Sequence, residues 1–194
     1  MTGQAVFDSY EYTGARVAVD LVNALAVDHV SGRPAPDGGQ DAHVDAVRAA
    51  LSVDPASLDR FRPSDAAAFA ALGRRLRGIV DALAAGDIDG AAGDLNAMLA
   101  EHPAHPHLAK EGGRWRLHHH PDDDALIPMW TAICAEALAR AIGEGHENRV
   151  GTCAGSECDR AFLDESKNAR RRFCTTACQS RVKAAAYRAR QRTP

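Results

Sequence analysis

The chain has 194 residues, of which 45% are hydrophobic and 25% charged, enough for one domain with a true core plus a small appendage and unlike a disordered chain. No run approaches the roughly 18 uninterrupted apolar residues of a membrane span, and the opening MTGQAVFDSYEYTG lacks the basic-then-apolar order of a secretion signal, so a cytoplasmic location and no membrane partner are expected. The net charge of -3 hides a division: from His146 to Pro194 eleven Lys and Arg stand against five Asp and Glu, while the rest of the chain holds twelve against twenty-one. An acidic body repels a polyanion that a basic tail attracts, so contact with nucleic acid is expected in the C-terminal part alone.

Residues 15 to 28, ARVAVDLVNALAVD, place Val17, Leu21, Val22 and Leu25 at helical spacing, although the Val-rich opening also fits a strand; a helix is the favoured reading. SGRPAPDGGQ follows without periodicity and reads as a mobile surface loop. A short helix is predicted from Ala42 to Leu51. Ser64 stands where an N-cap is wanted, and Phe69, Leu72, Leu76, Ile79, Val80 and Leu83 then form an apolar stripe that ends at Gly86. Asp89 is placed to cap a further helix with Ala92, Leu95, Met98 and Leu99 inward. HLAKEGGRWRLHHH holds two alternating runs about a Gly-Gly turn, a hairpin with Trp115, Leu117 and His119 on one face. From Asp124 to Ala141, helical spacing returns through Leu126, Trp130, Ile133, Cys134, Ala137 and Leu138, with Pro128 tolerable near the first turn. The Gly-rich IGEGHEN segment reads as a hinge between an N-terminal domain, 1 to 145, and a C-terminal module, 146 to 194.

Cys153 and Cys158 form C-x4-C, Cys174 and Cys178 form C-x3-C, and fifteen residues separate the pairs. Thiolates spaced two to four apart on a turn both reach one ion, and a long middle loop lets the second pair close a tetrahedron, so one zinc is expected. Four thiolates leave no position for substrate water, which makes the ion structural. The loop DRAFLDESKNARRRF offers few apolar side chains beyond Phe162, Leu163 and Phe173, and metal binding would replace the missing core. Cys134, on an apolar helix face, reads as a buried small hydrophobe.

After Cys178 the segment QSRVKAAAYRARQR contains no acid. At about 100° per residue, Arg181, Arg188 and Arg192 share one stripe while Lys183 and Arg190 lie opposite, about a strip of Val182, Ala185, Ala186 and Ala189. Arg170, Arg171 and Arg172 add a second cationic cluster before Cys174. A solvated face is the plain alternative for these arginines, but charge on both flanks of one metal knuckle favours DNA, with phosphate contact better supported than base reading. Tyr187 would either stack or reach a phosphate, or pack on the knuckle.

These residues carry a resemblance. Cys153, Cys158, Phe162, Asp164, Ser166, Asn168, Arg172, Cys174, Cys178 and Arg181, within residues 150 to 192, resemble the CGNR zinc finger found at the C-terminus of bacterial transcription regulators. VAVDLVNAL and RWRLHHHPDDD look like the companion ABATE domain, which the family implies to be a stress-linked regulatory or sensing unit. The Cys-Gly-Asn-Arg run appears here as Cys178-Gln179-Ser180-Arg181, so ligand and arginine remain while the Gly-Asn pair and any contact made by its amide do not.

The expected fold is a mainly α N-terminal domain with a small β-hairpin, followed by a treble-like four-cysteine module ending in a helix. His102, His105, His107, His118, His119 and His120 suggest a second metal site or a ligand pocket, against which strand alternation separates His119 from its neighbours. Asp20 and Asn23, with His119, are the candidates to line a pocket for an unknown small molecule; an Asp and an Asn on a helix also serve simply to satisfy nearby backbone. There is no phosphate loop, nucleophile elbow or His-Glu-x-x-His helix, so no enzyme is expected. The expected protein is a ligand- or stress-responsive DNA-binding regulator; the sequence does not name its oligomeric state, with a homodimer one option because many DNA-reading proteins pair as symmetric dimers to read two half-sites. Its rival is a zinc-stabilised module that docks an acidic protein surface, a partner's or its own body's.

Overall fold

The computed structural model describes residues 13–36, 39–102, 107–111, 113–118 and 125–192. Helix α1 (Thr13–Leu25) runs through the middle of the helical body. Val17, Ala18, Leu21 and Val22 are completely buried, and the larger ones contribute about 1.5–3 kcal/mol each by leaving water. The helix packs on α2 (Gly39–Ala50), α4 (Ala66–Ala85) and α6 (Leu126–Gly143). Its approach to α6 is close because residue 14 is glycine: a Cβ there would stand 2.6 Å from the Ile133 carbonyl oxygen. Helix α5 (Ile88–Glu101) fills the remaining side of the bundle against α4 and α6. Helix α6 is long and apolar enough to cross a bilayer by length and composition, yet Trp130, Cys134, Ala135 and Leu138 lie in the core, where burial raises the Cys134 thiol far above its ordinary value.

The main helices follow the apolar spacing, while their ends depart from it. Ser64 caps nothing; it lies in a 3-10 turn, Pro63–Asp65, in which the Asp65 carboxylate accepts from the Arg62 amide at 2.9 Å. At α5 the cap is Asp87, which accepts from the Gly90 amide at 2.9 Å, and Ala91 rather than Ala92 is fully buried. A short helix α3 (Pro55–Arg60), absent from the sequence reading, is started by Asp54, whose carboxylate accepts from the amides of Ala56 and Ser57, both at 3.2 Å. It is held to the core by Ser57, whose hydroxyl accepts from the Trp130 indole at 2.9 Å.

Three two-stranded antiparallel sheets are present among the described residues. The first pairs β1 (His29–Val30) with β2 (Arg33–Pro34); its turn and β2 lie in the expected mobile loop and β1 just before it. The second, β3 (His107–Glu111) with β4 (Arg114–His118), is the hairpin read from the sequence. Register pairs Leu108 with Leu117 and Lys110 with Trp115, so these four share a face, and Leu108, Trp115 and Leu117 are exposed. The third, β5 (Val150–Thr152) with β6 (Ala161–Leu163), carries the first two cysteines on the loop between its strands, and α7 (Thr176–Arg192) begins between the second two and includes Cys178.

No loose hinge joins β5 to the body. The amides of Glu144, Gly145 and His146 donate to the carbonyls of Arg140, Ile142 and Ala141 at 2.9, 3.0 and 2.7 Å, and a 3-10 turn, Glu147–Arg149, leads directly into the strand. Val150, Ala161 and Leu163 then belong to the same buried cluster as the helices. The glycines read as a hinge locally, but three-residue strands are too short for their periodicity to reveal a buried face.

Candidate metal centre and nucleic-acid interface

The four cysteine sulfurs lie within 4.8 Å of one another and all four residues are buried. Sulfur-to-sulfur distances are 3.8 Å for Cys158 and Cys174, 3.7 Å for Cys174 and Cys178, and 3.8 Å for Cys178 and Cys158. A tetrahedron with metal–sulfur bonds near 2.3 Å, the zinc–thiolate length, has edges of about 3.8 Å. All four cysteines are free, so the cluster fits a metal ion and not a disulfide pair. The histidines contribute no comparable group among the described residues; His105, His119 and His120 lie outside them.

Local backbone makes this convergence. Glu157 sits at φ 51°, a left-handed turn between the first two ligands, and the Cys153 amide donates to the Arg160 carbonyl across the knuckle at 2.8 Å. The Cys174 amide donates to the Cys153 sulfur at 3.4 Å. The Thr175 hydroxyl accepts from the Cys178 amide at 3.2 Å, starting α7 so that Cys178 points back at its partners. Buried Asp164 organises the long loop: its carboxylate accepts from the amides of Ser166 at 2.9 Å and Arg171 at 2.6 Å. Burial works against that charge, but these bonds and nearby Arg149 outweigh it and hold the carboxyl below its ordinary value.

The thiols are unequally poised. Burial and the three neighbouring sulfurs push Cys174 up to about 12. Burial would also raise Cys178, yet the hydroxyls of Ser31 and Thr175, with Cys174 and Cys158, bring it down to about 6. Ser31 comes from the helical body. Its hydroxyl lies 3.2 Å from the Cys178 sulfur, well placed to donate to the thiolate.

That contact is one of several across the seam. The tip of the β1–β2 hairpin lies against the knuckle: the Gly32 amide donates to the Glu157 carbonyl at 2.8 Å, and a Cβ on Gly32, whose φ is +84°, would stand 2.7 Å from the Arg181 guanidinium. The His29 amide donates to the Asp159 carboxylate at 2.8 Å, and the Asp159 amide to the His29 carbonyl at 3.0 Å. Arg77 donates to the Asp159 carbonyl and Arg16 pairs with Glu165. Asn23 clamps β6 with both ends of its amide, donating to the Ala161 carbonyl at 3.1 Å and accepting from the Ala161 amide at 2.8 Å. None of these pairings was visible in the sequence, because each joins polar groups on segments far removed along the chain.

The cationic residues divide into two groups. Arg171 donates to the carbonyls of Leu163, Phe173 and Cys174 and lies over the Phe162 ring, 5.5 Å from its centroid. Arg181 donates to the Ser156 carbonyl at 2.6 Å. Both are occupied in holding the knuckle. Arg170 and Arg172 are exposed, and along α7 every described side chain from Lys183 onward is exposed, including Tyr187, Arg188 and Arg190. Arg192 ends the helix, and its side chain lies outside the described residues.

Asp20 and Asn23 line a cleft of about 370 Å³ with Ala24, Ala46, Ala49, Ala50 and Arg160; His119, named with them from the sequence, lies outside the described residues. Burial raises the Asp20 carboxyl, with Arg16 and Arg160 pulling it the other way.

The fold and site thus define a class: a helical body fused through a shared core to a four-cysteine metal-binding knuckle with a basic terminal helix. Comparison with family models gives the same division, residues 15–145 matching the ABATE model, described as "Putative stress-induced transcription regulator", and residues 149–191 matching the CGNR zinc finger. The chain belongs to the ABATE family and carries a CGNR zinc-finger domain. Both are non-catalytic families. No curated protein matches the chain.

Proposed function

We propose that the protein is a zinc-dependent, DNA-binding transcription regulator of the cytoplasm, in which α7 is the contact element and the ABATE body fixes its direction. The observation that carries this reading is the bare cationic helix: 17 residues without an acid, about 25 Å long, rooted on the metal knuckle and exposed from Lys183 to Gln191. Zinc suits the donor set, four thiolates at tetrahedral spacing with no open position, and acts as a structural ion. Lys183, Tyr187, Arg188, Arg190 and Arg192, with Arg170 and Arg172, are assigned to phosphate contact. Arg171 and Arg181 act differently. Their guanidiniums are committed to backbone carbonyls, so they orient the helix and leave the phosphates to the others.

A salt titration of affinity for a random-sequence duplex tests this division. Log affinity falls with log salt at a slope of about -0.9 per phosphate contacted. Arg188→Ala is expected to flatten the slope by about one unit, whereas Arg181→Gln is expected to weaken binding at an unchanged slope and to speed zinc release. A wild-type slope near zero would instead favour docking on an acidic protein surface, and equal flattening by both variants would return Arg181 to the contact set.

A further inference from the structure

The cleft at the seam has a chemistry of its own. It exists because α2 presents Ala46, Ala49 and Ala50, at i, i+3 and i+4 on one face, and α1 presents Ala24, so four of its seven lining side chains are too short to fill it. Its remaining lining is polar and carries opposite charges from opposite sides of the seam: Asp20 from α1 and Arg160 from the knuckle, with Asn23 between them. Among the described residues neither Asp20, which is exposed, nor Arg160 forms a close ion pair, although Arg16 and Arg160 both act on the Asp20 charge at longer range, and the Arg160 Nε is buried without a hydrogen-bond partner. The Asn23 amide gives one N–H and one lone pair to Ala161, which fixes it in place and leaves the two charges as the main recognition groups.

Arg160 is also held in place before anything binds. Its neighbour Asp159 is bonded to His29 and its other neighbour Ala161 is clamped by Asn23, so its backbone is fixed at the edge of the cleft. A cleft that presents a carboxylate and a guanidinium with no close ion pair between them is complementary to a molecule bearing both charges. Its volume lies at the small end of the range for small-molecule sites, about 300–1,000 Å³, which suits a ligand of amino-acid size.

We propose that this cleft binds a small zwitterion, its anionic end on Arg160 and its cationic end on Asp20, and that the ligand ties the ABATE body to the metal knuckle. The proposal deepens the regulatory reading above by giving the sensing domain a ligand class, but its test needs no DNA, so the two fail separately.

The test is isothermal titration of the full-length, zinc-loaded chain with a panel of free α-amino acids, each beside its N-acetyl and methyl-ester derivatives. At least one free amino acid is expected to bind one per chain, with affinity about tenfold or more weaker when either end is blocked. Asp20→Asn and Ala49→Leu, the second filling the cleft without touching a charge, are both expected to abolish binding while retaining one zinc per chain. The bound ligand is also expected to slow transfer of zinc to a chelator. Absence of saturation by every member of the panel, equal binding of blocked and free forms, or undiminished binding by Ala49→Leu would each overturn the proposal.

Discussion

The helical body and the cysteine knuckle are stabilised by different physics. In the body, α1, α4, α5 and α6 bury aliphatic stripes against one another, and the hydrophobic effect suffices. In the knuckle, the buried hydrophobic cluster beyond β5 and β6 is the four cysteines with half-buried Phe173 packed beside them, and four buried thiols do not make a core. The consequence is an asymmetric dependence. On the proposed zinc reading the body is expected to do without the ion, while the knuckle is expected to rely on both the ion and the body, whose polar groups hold its backbone and one of its sulfurs.

Removing the metal should therefore separate the two regions more sharply than any single substitution. Structural zinc in small modules is worth on the order of 10 to 16 kcal/mol of folding free energy. Chelation, or Cys174→Ser, is expected to abolish hydrogen-exchange protection across 153–182 while α1, α4, α5 and α6 keep theirs. Uniform loss of protection through the body would show that the two regions fold as one metal-dependent unit.

The seam gives a smaller effect. Asn23→Ala removes both bonds to Ala161 and leaves a strand amide and carbonyl without partners, a cost of about 2 to 3 kcal/mol. It is expected to lower the urea midpoint and to raise the rate of zinc transfer to a chelator. A change in stability with unaltered zinc release would mean that the clamp serves the body alone.

Smallest is the pH effect of Asp164, inside the knuckle. Its folded carboxyl lies below the ordinary value of 3.8, so its contribution is fully present above that value and is lost as pH falls through the lower folded one. Asp164→Asn is expected to cost about 1.5 kcal/mol at neutral pH, and the gap from wild type should close in urea titrations carried below the carboxylate range. A gap independent of pH would mean that the side chain acts by shape and not by charge.

What the sequence made legible follows the same contrast. Long apolar stripes such as Phe69 to Leu83 revealed their helices because burial acts at fixed local spacing, and the cysteine pairs revealed a metal site because ligand spacing is also local. Short elements escaped: α3 is six residues long, and β1 and β2 have two residues each, β2 and its turn lying in a segment whose Pro and Gly content reads as loop. The roles of Asn23, Ser31 and Arg181 escaped for another reason, since each is defined by a partner far along the chain. Arg171 and Arg181 belong to a basic run that resembles a single phosphate-binding surface, and only their carbonyl partners distinguish them from Arg170, Arg172 and Arg188.

Whether the four thiolates share one zinc is tested most directly by X-ray absorption at the zinc edge on the purified full-length chain. The account predicts one zinc per chain with four sulfur neighbours at about 2.3 Å and no nitrogen or oxygen bonded to the ion. A mixed set of neighbours, or a chain that keeps a folded knuckle with no metal at all, would contradict it.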